Sequence, residues 1–199
     1  MQDFQQKLTR FFSSLWPAEE KVLVFGEGRH QQPAIMLIGE APGEQETLQG
    51  RPFVGKAGKN LDGFLEAVGL QREEIWISNV VKIRPTKVSE KGRVSNRPPS
   101  REELALFRPY LYEEIQLVSP GVIVTLGNVA LKSLLGESAV IGDHHGRLCR
   151  AEVTHAGQAR EYQVFPLYHP ASIIYNRSLT EVYAADLVRL RELLDGGVI

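Results

Sequence analysis

The sequence predicts a three-layer α/β/α sandwich with a mainly parallel central sheet. Three observations lead there. Apolar runs of strand length recur along the chain, and one of them, Ala34-Ile35-Met36-Leu37-Ile38, has no polar break, as a strand covered on both faces requires. Between these runs lie segments of helical periodicity that carry start or stop signals. Loops rich in glycine and proline fall where strands should end, which is where open α/β sheets place their ligands.

Taken in order, segment 1–21 is expected to be helical and to pack on the core, and Val22-Leu23-Val24-Phe25 reads as a first strand. After the Ala34–Ile38 strand, Gly39 to Gly43 opens a loop. Leu61, Phe64, Leu65 and Val68 repeat at helical spacing before Gly69, a natural helix stop. Ile75 to Val80 reads as the next strand, and Lys87 to Ser100 as a polar, flexible insertion. Ser100 with Glu103 forms a capping box that opens a helix to about Val118, and Val122 to Leu126 is another buried strand. A further strand, Tyr162 to Tyr168, ends at His169. Ser178 with Glu181 offers a second capping box, for a terminal helix with Tyr183, Leu187, Leu190 and Leu194 as its apolar stripe. No internal repeat or composition break divides the chain, so 1–199 reads as one domain.

Composition narrows the function classes. The 23 basic and 24 acidic residues leave a net charge of −1, so contact with nucleic acid has to come from a local patch. One exists, the run Lys82, Arg84, Lys87, Lys91, Arg93, Arg97 and Arg101, broken only by Glu90; phosphate binding and a solvated charged loop are both open readings. No stretch reaches the roughly 18 to 20 apolar residues of a membrane span, and Met1 to Glu20 lacks a basic start followed by an apolar run. A cytoplasmic location without membrane contact is expected. Cys149 is the single cysteine, which excludes an internal disulfide and a cysteine-built metal site within one chain. His144 and His145 lie near it, but an adjacent pair plus one thiol lacks ligand spacing, and they read as loop residues.

Four motifs carry the chemistry: Gly39-Glu40-Ala41-Pro42-Gly43, Gly50-Arg51-Pro52-Phe53-Val54-Gly55-Lys56-Ala57-Gly58, Ser78-Asn79-Val80-Val81-Lys82 and Tyr168-His169-Pro170-Ala171. Alone, the glycines could merely shape strand-to-helix connections. In this order, over about Val24 to Leu194, the motifs resemble the family 4 uracil-DNA glycosylases. The resemblance implies an enzyme that flips uracil out of DNA and hydrolyses its bond to deoxyribose, leaving an abasic site. Its implied partner is uracil-containing DNA, single-stranded or duplex, met by a monomer.

The same resemblance assigns roles. Phe53 matches the aromatic that stacks the base, Asn79 the amide that reads uracil N3–H and O4, and His169 the donor to uracil O2. Glu40 matches an acid that positions water or offsets charge on the sugar, a duty Asn96 could share. Ala41 stands where related families carry a water-activating aspartate, and Glu46 corresponds to an acid at the C5 side that would exclude thymine's methyl group; Gly43, by its lack of a side chain, lets the backbone approach a bound ligand closely. Taken singly, Phe53 could be a core residue, Asn79 a turn residue, His169 a structural histidine and Glu46 an exposed loop acid. Lys82, Arg84 and Arg97 are expected at phosphates. Ser172, Ile173, Ile174 and Arg177 occupy the place of the intercalating loop, although both isoleucines could equally be core residues.

One part of the family pattern is missing. Members typically hold a four-iron, four-sulfur cluster on four cysteines, whose places here fall near Phe11 and Ser14, at Ile83 and at Phe107. No cofactor is therefore expected, with packing among Phe11, Ile83 and Phe107 taking over the joining role. The insertion contains no histidine of the kind a related family uses for covalent capture, so turnover is expected. A catalytically weak uracil-DNA-binding protein and a glycosylase for another deaminated base are the alternatives.

Overall fold

The computed structural model describes residues 1–16 and 21–197, excluding the side chains of residues 174 and 175. Helix α1 (Gln2–Leu15) buries Phe4, Leu8 and Phe12, one residue per turn on a single face. Residues 17–20 of the expected N-terminal segment lie outside the described residues. The chain continues through β1 (Glu27–Gly28), β2 (Ile35–Gly39), α2 (Glu44–Gln49), α3 (Lys56–Val68) and β3 (Trp76–Asn79). It then forms β4 (Thr86–Val88), β5 (Val94–Asn96), α4 (Arg101–Val118), β6 (Val122–Leu126), α5 (Asn128–Leu135) and α6 (Ile141–His144). The last elements are β7 (Cys149–His155), β8 (Gln158–Leu167), α7 (Pro170–Tyr175) and α8 (Leu179–Asp195).

Six strands form one sheet in the order β1-β3-β2-β6-β8-β7, parallel from β3 to β8 with an antiparallel strand at each edge. Alternation of side chains sorts β2 between two cores. Met36 and Ile38 join Phe107, Leu111 and Ile115 of α4, the α1 side chains, and Ala130 and Leu134 of α5. Ile35 and Leu37 join Leu61, Phe64 and Leu65 of α3 with Tyr183, Leu187 and Leu190 of α8. Helices thus cover both faces, the layering the sequence predicts.

Local signals account for most boundaries. Gly69 takes a left-handed φ of 73° at the end of α3. Ser100 accepts from the Glu103 N–H while Glu103 accepts from the Ser100 N–H, completing the box before α4. Three expectations need correction. Val22 to Phe25 forms no strand; Val24 N–H donates to the Lys82 carbonyl at the β3 exit, and Leu23 and Phe25 pack on the core there. Ser178 does not cap α8, because its hydroxyl is turned to Asn176 Oδ1 at 2.7 Å. The insertion carries its own ladder, β4 against β5. Strand β7 carries no clear sequence signal, because its turn to β8 is Ala156-Gly157, both at positive φ, rather than the telltale Asn-Gly pair.

Candidate active site

Strands β2 and β3 end level, with Gly39 opposite Asn79. A Cβ at Gly39 would overlap Asn79 Oδ1 and the Phe53 ring, so the absent side chain lets these two groups meet. Beyond the ladder, Val80 N–H donates to the Gly39 carbonyl at 2.9 Å and Val81 N–H to that of Glu40 at 3.1 Å, locking the first and third motifs together. Asn79 is buried and faces a cleft of about 500 Å³ whose lining includes Ala41, Gly43, Glu46, Phe53, Asn96 and His169.

Phe53 reaches that wall from a strained backbone, φ 53°. Arg72 holds it there, Nη2 donating to the Phe53 carbonyl at 2.6 Å while Nε pairs with Asp62 at 2.8 Å. Gly58 is obligatory beneath, since a Cβ would overlap the same carbonyl. Nothing in the sequence marks Arg72: it lies 19 positions from the residue it positions. The Phe53 ring belongs to the α3–α8 core and also faces His169, ring centres 6.2 Å apart and planes 29° off parallel. Glu46 serves as a clamp: Oε2 accepts from Gly43 N–H at 3.1 Å, and Oε1 from Val54 and Gly55 N–H at 3.0 and 2.7 Å. Its carboxylate therefore joins the two glycine loops while lining the cleft.

His169 caps α7, and Nδ1 accepts the Ala171 N–H at 3.2 Å. An accepting Nδ1 leaves the proton of a neutral ring on Nε2. Burial pushes the ring below its ordinary pKa of 6.5, so the neutral form prevails at neutral pH. Burial also raises the half-buried Glu40 carboxyl above 4.5; Glu40 follows Gly39 at the strand end but is not among the residues lining the cleft. Asn96 sits at the rim, its Oδ1 accepting from Arg84 Nε at 2.7 Å.

Residues 25–190 match the family model of the uracil DNA glycosylase superfamily. The chain belongs to that superfamily. It is 37% identical over 172 residues to a type-4 uracil-DNA glycosylase of Sulfurisphaera tokodaii, covering 84% of this chain and 73% of that protein. A type-4 uracil-DNA glycosylase of Saccharolobus solfataricus is 36% identical over 181 residues, covering 90% and 79%. Among solved structures, Pedobacter heparinus SMUG2 superposes with a TM-score of 0.53 at 15% identity, over 79% of this chain and 74% of that one, which supports the fold.

The residues present do not fit the cluster typical of type-4 relatives within this superfamily. Phe11, Ser14, Ile83 and Phe107 offer no thiolate, and no group of three or more His, Cys, Asp or Glu among the described residues could hold a metal. Aromatic packing fills the place, with one correction to the expected trio. Phe12, not Phe11, is the buried member: it stacks on Phe107 at 4.5 Å and 14° within the core that includes Ile83, while Phe11 is 37% exposed and leans on Phe12 and Tyr110.

Two of the expected phosphate contacts are used inside the protein. Lys82 is 0% exposed, and its three ammonium hydrogens meet Ser78 Oγ at 2.7 Å, the Asn79 carbonyl at 2.6 Å and Glu114 Oε2 at 2.6 Å. Glu114 also accepts from Trp76 Nε1 at 3.0 Å and Ser78 Oγ at 2.9 Å, so every member of this buried network has a partner. Arg97 braces the insertion, Nε donating to the Thr86 carbonyl and both Nη groups to Glu103 at 2.7 Å. Arg84 pairs with Glu44 at 3.3 Å beside its bond to Asn96. Ser172 and Ile173 are half-buried, Ile173 packing partly against the α3–α8 core, and Arg177 is exposed. The side chain of Ile174 lies outside the described residues.

Proposed function

We propose that this chain is a monofunctional uracil-DNA glycosylase that hydrolyses the N-glycosidic bond of a flipped deoxyuridine, releasing uracil and leaving an abasic site. The observation carrying the proposal is the convergence of Phe53, Asn79 and His169 on one cleft at the strand ends, within a chain similar to type-4 enzymes over most of its length. Phe53 supplies the stacking surface, and Asn79, its backbone held by Lys82, donates to O4 and accepts from N3–H. As the C1′–N1 bond breaks, its electron pair leaves on N1 and spreads onto O2, where the neutral His169 Nε2–H donates. Water adds its oxygen to C1′ and gives its proton to a carboxylate; Glu40, next to Gly39 at the β2 end though outside the cleft lining, is assigned that part, with Asn96 at the rim available to orient the water.

The reading extends to a cofactor-free enzyme, since Phe11, Ile83 and Phe107 put apolar side chains at three of the four cluster positions and Ser14 a hydroxyl at the other. It also extends to action as a single-domain monomer in the cytoplasm, on single-stranded or duplex DNA. No helix among the described residues is long and apolar enough to cross a membrane. The test incubates purified protein, without added metal, with end-labelled oligonucleotides carrying one uracil or a matched thymine. Alkali-sensitive cleavage at uracil alone, lost in His169→Ala, is expected. Retained uracil-DNA binding with no cleavage would overturn the assignment.

A further inference from the structure

The insertion after the third motif is a built element. Strands β4 and β5 pair with Thr86 opposite Asn96, Lys87 opposite Ser95 and Val88 opposite Val94. The turn is closed by Ser89 N–H to the Arg93 carbonyl at 3.0 Å, Gly92 N–H to the Ser89 carbonyl at 2.9 Å and Arg93 N–H to Ser89 Oγ at 3.1 Å, with Gly92 at φ 74°. Arg97 fastens its base to α4 through Thr86 and Glu103.

Strand geometry fixes which side chains share a face. Alternation puts Val94 on the side of Asn96, and cross-strand pairing adds Val88 and Thr86 to it. Asn96 lines the active-site cleft, so this face continues the cleft's rim outward. There, Val88 and Val94 are 67% and 50% exposed, an apolar pair on the surface. Lys91 and Arg93 stand at the turn beside the pair and Lys87, opposite Ser95, projects from the reverse face of the ribbon; all three are exposed and outside every ion pair found among the described residues, and the ribbon carries one acid, Glu90. Lys82 and Arg97, by contrast, are committed inside the protein.

We propose that the β4–β5 ribbon is a DNA-contact arm, a reading that rests on the proposed function. Its valine pair covers the sugar and base surface of nucleotides flanking the flipped one, while Lys91 and Arg93 at its tip and Lys87 on its reverse face meet the phosphates on either side of the ribbon. The occupant is DNA because the apolar face is continuous with the cleft that takes the flipped base and the cations around it complement a phosphate chain.

The test measures binding to a duplex carrying a tetrahydrofuran abasic analogue, a readout independent of excision. Lys87→Ser/Lys91→Ser/Arg93→Ser should flatten the plot of log affinity against log salt by about two to three, since each B-DNA phosphate contact contributes about 0.9. Val88→Thr/Val94→Thr, which retains strand propensity, should keep the slope and weaken binding roughly five- to ten-fold. Parental affinity and slope in both variants, with circular dichroism confirming the fold, would overturn the arm and point the ribbon to a protein partner instead. Failure of the parent to excise uracil would overturn the proposed function separately.

Discussion

Replacing Lys82 by methionine tests how the base-reading strand is held. The change removes a cation that is fully buried and leaves the Glu114 carboxylate, 1% exposed, with only Trp76 Nε1 and Ser78 Oγ. Breaking a buried pair from one side costs about 3–5 kcal/mol, because the remaining charge stays desolvated. For a chain of this length 1 kcal/mol moves the midpoint by about 2–4 °C, so Tm should fall by roughly 6–20 °C. In Lys82→Met/Glu114→Gln, the amide oxygen can still accept from Trp76 and Ser78 and no charge is buried. The main orphan is the Asn79 carbonyl, at about 1–3 kcal/mol, so much of the lost stability should return. Activity should not follow, since Asn79 has lost its ammonium hold: below every midpoint, the double variant is expected to excise uracil with kcat down about ten-fold or more and KM little changed. The assay combines urea unfolding of the four proteins in the cycle with steady-state excision. A loss under about 1 kcal/mol in Lys82→Met would refute the buried-pair reasoning, and parental kcat in the double variant would refute the positioning of Asn79.

Three further outcomes are expected. His169→Ala should lower kcat about 10²–10³-fold with KM nearly unchanged, measured in steady state, because its hydrogen bond strengthens only as charge reaches the base. The acid limb of the pH profile should contain a Glu40 step above 4.5, since its carboxylate is lost as pH falls through a raised pKa; Glu40→Gln should remove that step and leave the His169 limb below 6.5. An unchanged acid limb would dismiss Glu40 as the base. Gly39→Ala should abolish excision while the protein remains folded by circular dichroism, because the added Cβ displaces Asn79 and Phe53 together.

The misread residues share a cause. Lys82 sits in a basic run that reads as surface, and its partner Glu114 lies 32 positions away on α4, so no local pattern could pair them. Arg72 and Phe53 are joined the same way, by a side chain crossing between loops. The choice of Phe12 over Phe11 follows from which side of α1 meets α4, a matter of helix rotation that adjacent residues cannot reveal. Residues 22–25 have strand composition, but the sheet is edged by β1, and their backbone has no complete ladder to join.

By itself the sequence determined the layered α/β architecture, the buried strands β2, β3 and β6, the end of α3, both ends of α4 and the motifs that meet at the cleft. Those features rest on local physics: hydrophobic periodicity, capping and glycine conformations act within a few residues of their signals. Only the tertiary structure decided which charges are buried, which loop acid clamps backbone and which cations remain exposed on the ribbon. Those outcomes depend on partners far apart in the chain, brought within hydrogen-bond distance only once the sheet has set its strand order.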